Sequence, residues 1–135
     1  MCVSSLIGFS EGCLDAFRHL RETREINTVI LQYIDTLEVL VAEVEGNLTH
    51  DELIQALPED KPRLVIHELS FATREGKRRN EQLLVFWMPP GGSGQEEAYT
   101  ALYTVLKGYL ADVHVRLTAR RADELDYHRL VALAG

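Results

Sequence analysis

Six apolar residues at successive positions, Leu83-Leu84-Val85-Phe86-Trp87-Met88, constrain this chain more than any other feature. A strand points neighbouring side chains to opposite faces, so an unbroken apolar run is stable only where both faces of its sheet are covered. The run is far too short to cross a bilayer, which takes about 20 residues. A cation-rich turn, Arg74-Glu75-Gly76-Lys77-Arg78-Arg79, precedes it, and a second apolar stretch, Leu64-Val65-Ile66, precedes the turn. The spacing predicts two strands over about 63–72 and 81–88, the second of them in the interior of the sheet.

Flanking signals supply the remaining elements. Ser10 is placed to cap a helix running to about Arg21, with Phe9 stapling onto Leu14 across its first turn. Residues 27–34 and 37–45 are rich in Val, Ile, Leu and Tyr around Asp35-Thr36, which predicts two strands and a short turn. Thr49-x-x-Glu52 is a capping box flanked by Leu48 and Leu53, and Leu57-Pro58 ends the helix that it opens. Beyond the loop Pro89-Pro90-Gly91-Gly92-Ser93-Gly94, the stripe Ala98, Leu102, Val105, Tyr109 and Leu110 predicts a long helix over 95–111. Val113-His114-Val115-Arg116-Leu117 alternates as a last strand, and Asp123 is placed to cap a final helix to Leu133. This order predicts an α/β fold: one domain over residues 1–135, with a central mixed five-stranded sheet and helices on both faces.

At 135 residues and 46% hydrophobic, the chain can bury one core without a metal or a disulfide. Cys2 and Cys13 have no metal spacing, and no secretory leader pattern precedes them, so reduced thiols in a cytoplasmic, monomeric protein are expected. Fourteen basic against 21 acidic residues, net −7, argue against general nucleic-acid binding, which needs a basic stripe to neutralise phosphates. His19, His50, His67, His114 and His128 are too scattered to close a metal site. Ser93 lacks the Gly-x-Ser-x-Gly elbow of a nucleophile, and no Lys-Ser or Lys-Thr follows Gly94 to make a phosphate loop. No acid, base and nucleophile can be assembled, so a binding protein without cofactor, and not an enzyme, is expected.

Taken together, the residues from Ser5 to about Leu133 resemble the actin-depolymerising-factor homology family, whose members bind actin or actin-like subunits. Two of its branches share the likeness. Ser5-Leu6-Ile7-Gly8-Phe9-Ser10-Glu11, the turn Glu75-Gly76-Lys77-Arg78-Arg79 and Asp123-Glu124-Leu125-Asp126-Tyr127 resemble cofilins. Glu45-Gly46, Asp51-Glu52-Leu53, Leu57-Pro58-Glu59 and Pro62-Arg63 resemble glia maturation factors at matching spacing. Cofilins also carry cations at the start of the long helix, where this chain has Glu96 and Glu97. Replacing cations by carboxylates at an interface with an acidic partner costs several kcal/mol, so the resemblance leans towards glia maturation factor.

The resemblance implies a regulator that binds the branch-nucleating actin-related-protein complex, with a divergent cofilin acting on monomeric and filamentous actin as the alternative. It places one partner surface on Ser5, Leu6, Ile7, Glu96, Tyr99, Leu102, Arg120, Arg121 and Glu124, with Ser5 as the phosphorylated position. A second surface would hold Arg74, Lys77, Arg78 and Arg79 at the hairpin tip. Those cations also suit a phosphoinositide contact that weakens as salt rises.

Overall fold

The structure, a computed structural model, describes residues 8–90, 95–113 and 115–134. Ser10 opens α1 (Glu11–Arg21) by accepting the Cys13 amide on its hydroxyl at 3.1 Å. A hairpin follows, β1 (Thr28–Ile34) and β2 (Val39–Gly46). The turn between them is longer than Asp35-Thr36: it occupies residues 35–38 and closes with Glu38 in left-handed backbone, φ 54°. The capping box forms in full, since Thr49 Oγ1 accepts the Glu52 amide and Glu52 Oε1 accepts the Thr49 amide. It starts α2 (His50–Ala56).

Strands β3 (Arg63–Ala72) and β4 (Arg78–Trp87) pair antiparallel along their whole length. Helix α3 (Glu96–Tyr109) then returns the chain to β5 (Val115–Ala119), which lies parallel to β4 and starts two residues later than its alternation suggested. The last helix also departs from expectation. Residues Ala122–Leu125 form a short 3₁₀ turn, and α4 (Tyr127–Ala134) begins after it, with Asp126 rather than Asp123 accepting the His128 amide.

The sheet order is β2-β1-β3-β4-β5, antiparallel except for its last pair. Alternation within β4 divides the core in two. Leu84 and Phe86 join Phe17, Leu20, Tyr99 and Leu106 under α1 and α3. Leu83, Val85 and Trp87 join Leu53, Leu57, Leu125 and Leu130 under α2 and α4. Each such buried side chain contributes about 1.5–3 kcal/mol, and only a two-sided sheet can collect it from consecutive residues.

Strands β1 and β3 overlap only from Thr28 opposite His67 to Leu31 opposite Leu64, so each runs past the other. Two tyrosines finish the exposed ladders. Tyr99 of α3 accepts the Tyr33 amide on its hydroxyl at 2.8 Å, beyond the start of β3. Tyr127 of α4 donates its hydroxyl to the Ser70 carbonyl at 2.9 Å, beyond the start of β1. A helix on each face is thereby tied to backbone groups that a longer strand would have used.

Candidate functional site

The first surface is built at one end of the sheet. Strands β4 and β5, being parallel, both leave the sheet there, and the Met88 amide donates to the Ala119 carbonyl at 2.8 Å. One exit leads to α3 and the other to Arg120-Arg121. Trp87, the last residue of β4, donates its Nε1 to the Pro58 carbonyl at 2.7 Å, which holds the exit of α2 at the same end. Gly8 lies against α3: a Cβ there would stand 3.1 Å from Leu102 Cδ2, on a backbone at φ +99° that favours glycine. Ser5, Leu6 and Ile7 lie outside the described residues.

Tyr99 does not belong to this surface. It is fully buried, its ring stacks on Phe86 at 6.4 Å, and its hydroxyl is taken by Tyr33. Burial raises its phenol pKa. The inward stripe of α3 is Tyr99, Leu106 and then Leu110, while Tyr109, expected inside, is 44% exposed. Glu97, Thr100, Ala101 and Thr104 form the outward face, with Glu96 and Leu102 half-buried at its margin. Sequence reasoning missed that face because two stripes of helical spacing, one residue apart, both read as apolar. Glu124 is also committed locally. Its Oε1 accepts the amides of Arg120 and Arg121 at 2.8 and 3.0 Å, and the Arg120 amide is the main cause of its lowered pKa. Arg121 pairs with Asp123 at 3.2 Å. Arg120 and Arg121 instead rim a groove of about 350 Å³ whose walls include Ile54, Leu57, Trp87 and Pro89.

The second surface lies at the other end of β4. Nine residue steps of about 3.3 Å separate Arg78 from Trp87, placing the two surfaces about 30 Å apart along the strand. The turn is shorter than the cation cluster: Thr73 and Lys77 close it, with the Thr73 amide donating to the Lys77 carbonyl at 2.7 Å and Gly76 at φ +82°. Arg78 and Arg79 are therefore residues of β4, not of the tip, and as strand neighbours they face opposite sides of the sheet. Arg78 donates to Ser70 Oγ at 3.3 Å, whereas Arg79 stacks over Phe71 at 5.8 Å and pairs with Glu81. Arg74 and Arg79 border a groove of about 700 Å³ with Phe71, His128 and Val131.

The remaining candidate chemistry is structural. A groove of about 670 Å³ between the C-terminal ends of α1 and α3 contains Arg18, Arg21 and Arg24, but each is paired, with Asp15, with Gln82 and Asp112, and with Glu68. Burial pushes the Cys13 thiol up to about 12, which leaves it inert. Among the described residues no group of three or more His, Cys, Asp or Glu side chains is placed to hold a metal, and no helix is long and apolar enough to cross a membrane.

Comparison with known proteins agrees with this architecture. Residues 6–133 match the family described as Cofilin/tropomyosin-type actin-binding protein. The chain belongs to that family of actin-binding regulators, the actin-depolymerising-factor homology fold. Among curated relatives it is 23% identical over 129 residues to actophorin of Entamoeba histolytica, covering 93% of each chain. Among solved structures it is similar to a cofilin of Streptomyces griseoflavus, with TM-score 0.83, 19% identity, and coverage of 94% and 96% of the two chains. It is also similar to glia maturation factor of Caenorhabditis elegans, with TM-score 0.71, 20% identity, and 93% of each chain covered.

Proposed function

We propose that this protein binds actin subunits directly in the manner of a cofilin and promotes the turnover of filaments. What supports the reading is the match of residues 6–133 to this family of actin-binding proteins, together with the exposed face of α3, against which Gly8 packs at Leu102. Glu97, Thr100, Ala101 and Thr104 are all exposed on that helix and open to a partner. Filament turnover then needs only differential affinity, because a domain that binds one subunit arrangement better than another shifts the population towards it. A cytoplasmic, cytoskeletal location follows from this reading.

A second reading, binding to the branch-nucleating actin-related-protein complex in the manner of glia maturation factor, is favoured by Glu96 and Glu97. They put two carboxylates, rather than cations, on the first turn of α3. Co-sedimentation with bare actin filaments, run beside filaments branched by that complex, separates the two. Pelleting with bare filaments is expected; pelleting only with the branched sample would replace the first reading by the second.

A further inference from the structure

We infer that the Tyr99 hydroxyl is a positioning group that sets the first turn of α3 for partner binding, an inference that rests on the proposed use of this helix face. Among the described residues the start of α3 has no side-chain cap: Gln95 stands at the N-cap without a side-chain hydrogen bond to the first turn. A helix so begun frays unless a tertiary contact holds it. Tyr99, one turn in, supplies the contact. Its hydroxyl accepts the Tyr33 amide at 2.8 Å, with the Arg63 guanidinium beside it, and its ring is fixed edge-on by Tyr33 at 6.0 Å and stacked on Phe86.

The buried ring and its hydroxyl bond together fix two coordinates of the helix. Rotation is set because the residue after Tyr99 is then forced outward, together with Glu97, Ala101 and Thr104. Axial position is set because the Tyr33 amide is a fixed point on the overhang of β1. Tyr99 thus acts on the partner through the backbone of α3 and not by contact, which explains how a fully buried residue bears on binding.

Tyr127 provides a matched comparison, since its hydroxyl makes the corresponding tether from the opposite face, at Ser70. The experiment compares Tyr99→Phe and Tyr127→Phe with the parent chain by native-state hydrogen exchange and by affinity for actin filaments. Tyr99→Phe is expected to speed exchange of the Tyr33 amide and of the amides in the first turn of α3 about tenfold, and to weaken filament binding about five- to tenfold. Tyr127→Phe is expected to leave both unchanged while lowering global stability to a similar extent. Parent-like exchange in the first turn of α3, or equal loss of affinity in both variants, would overturn the inference. If the parent chain itself binds no filament, the functional reading has failed, and the exchange comparison still decides whether the hydroxyl holds the turn.

Discussion

Arg63 grips Glu43 through two parallel hydrogen bonds, Nε to Oε1 at 2.9 Å and Nη2 to Oε2 at 3.1 Å. The pair spans β1, reaching from the first residue of β3 to a bulge in β2. Ile30 faces Val44 and Leu31 faces Ala42, so Glu43 is the extra residue that no partner opposes. The guanidinium is almost wholly buried and its Nη1 is satisfied by the Pro62 carbonyl at 2.8 Å.

Removing only the carboxylate strands a buried cation, which is the costly way to break such a pair. Glu43→Ala is therefore expected to lower unfolding free energy by about 2–3 kcal/mol, reduced from the fully buried case because the Glu43 side chain is one-third open to solvent. The double change Glu43→Leu with Arg63→Met should recover most of the loss in a urea titration. Equal instability of the double variant would show that the bulge, and not the charge pair, is what matters.

His67 makes stability depend on pH. Thr28 donates its hydroxyl to Asn27 Oδ1 at 2.7 Å, so the contact at 2.7 Å between Thr28 Oγ1 and His67 Nδ1 has the imidazole as donor. The same Asn27 side chain clasps the amide and the carbonyl of Leu48, which ties the entry of α2 to this relay. Burial, with His50 nearby, lowers the His67 pKa from 6.5 to about 4. The unfolded chain thus binds the proton more readily, and stability falls as pH drops from about 6.5 to about 4, by about 3 kcal/mol in all. Chemical denaturation at stepped pH should show this slope, and His67→Gln should remove that part of it.

Glu38 closes the β1–β2 turn at φ 54°, where a side chain with a Cβ costs about 1–2 kcal/mol. Glycine avoids that cost and gives back part of it in unfolded-state entropy. Glu38→Gly is expected to stabilise the protein by about 0.5–1 kcal/mol, seen as a thermal midpoint a few degrees higher. A lower midpoint would mean that the Glu38 side chain contributes more than its backbone strain removes.

Charge at the start of α3 tests the choice of partner. Glu97 is exposed, so Glu97→Lys leaves the core untouched. Against an acidic actin surface the reversal should tighten filament binding severalfold at low salt, with the gain shrinking as ionic strength rises. Unchanged affinity for bare filaments would turn attention to the branched complex.

Much of the fold was legible in the sequence. Ser10 and the Thr49-Glu52 box mark helix starts because a cap is a bargain among neighbours three residues apart, and the apolar run at Leu83 announces a sheet covered twice. The family resemblance rested on such local runs and held. Legibility stopped where two periodic readings competed. In α3 the resemblance puts Tyr99 on the surface, whereas the structure buries it, because the partner of its hydroxyl, the Tyr33 amide, is 66 residues away. At the tip, a block of cations was read as one patch, although the strand begins inside it and sends Arg78 and Arg79 to opposite faces.

The sequence by itself determined which segments become helices and strands, where most of them begin, and that one sheet must be covered on both sides, because these depend on spacing along the chain. Tertiary structure alone decided the rotation of α3, the pairing of Arg63 with Glu43, and the packing of Gly8 against Leu102. Each of those depends on groups brought together from distant parts of the chain when strands of unequal reach are laid side by side, and no local pattern records that.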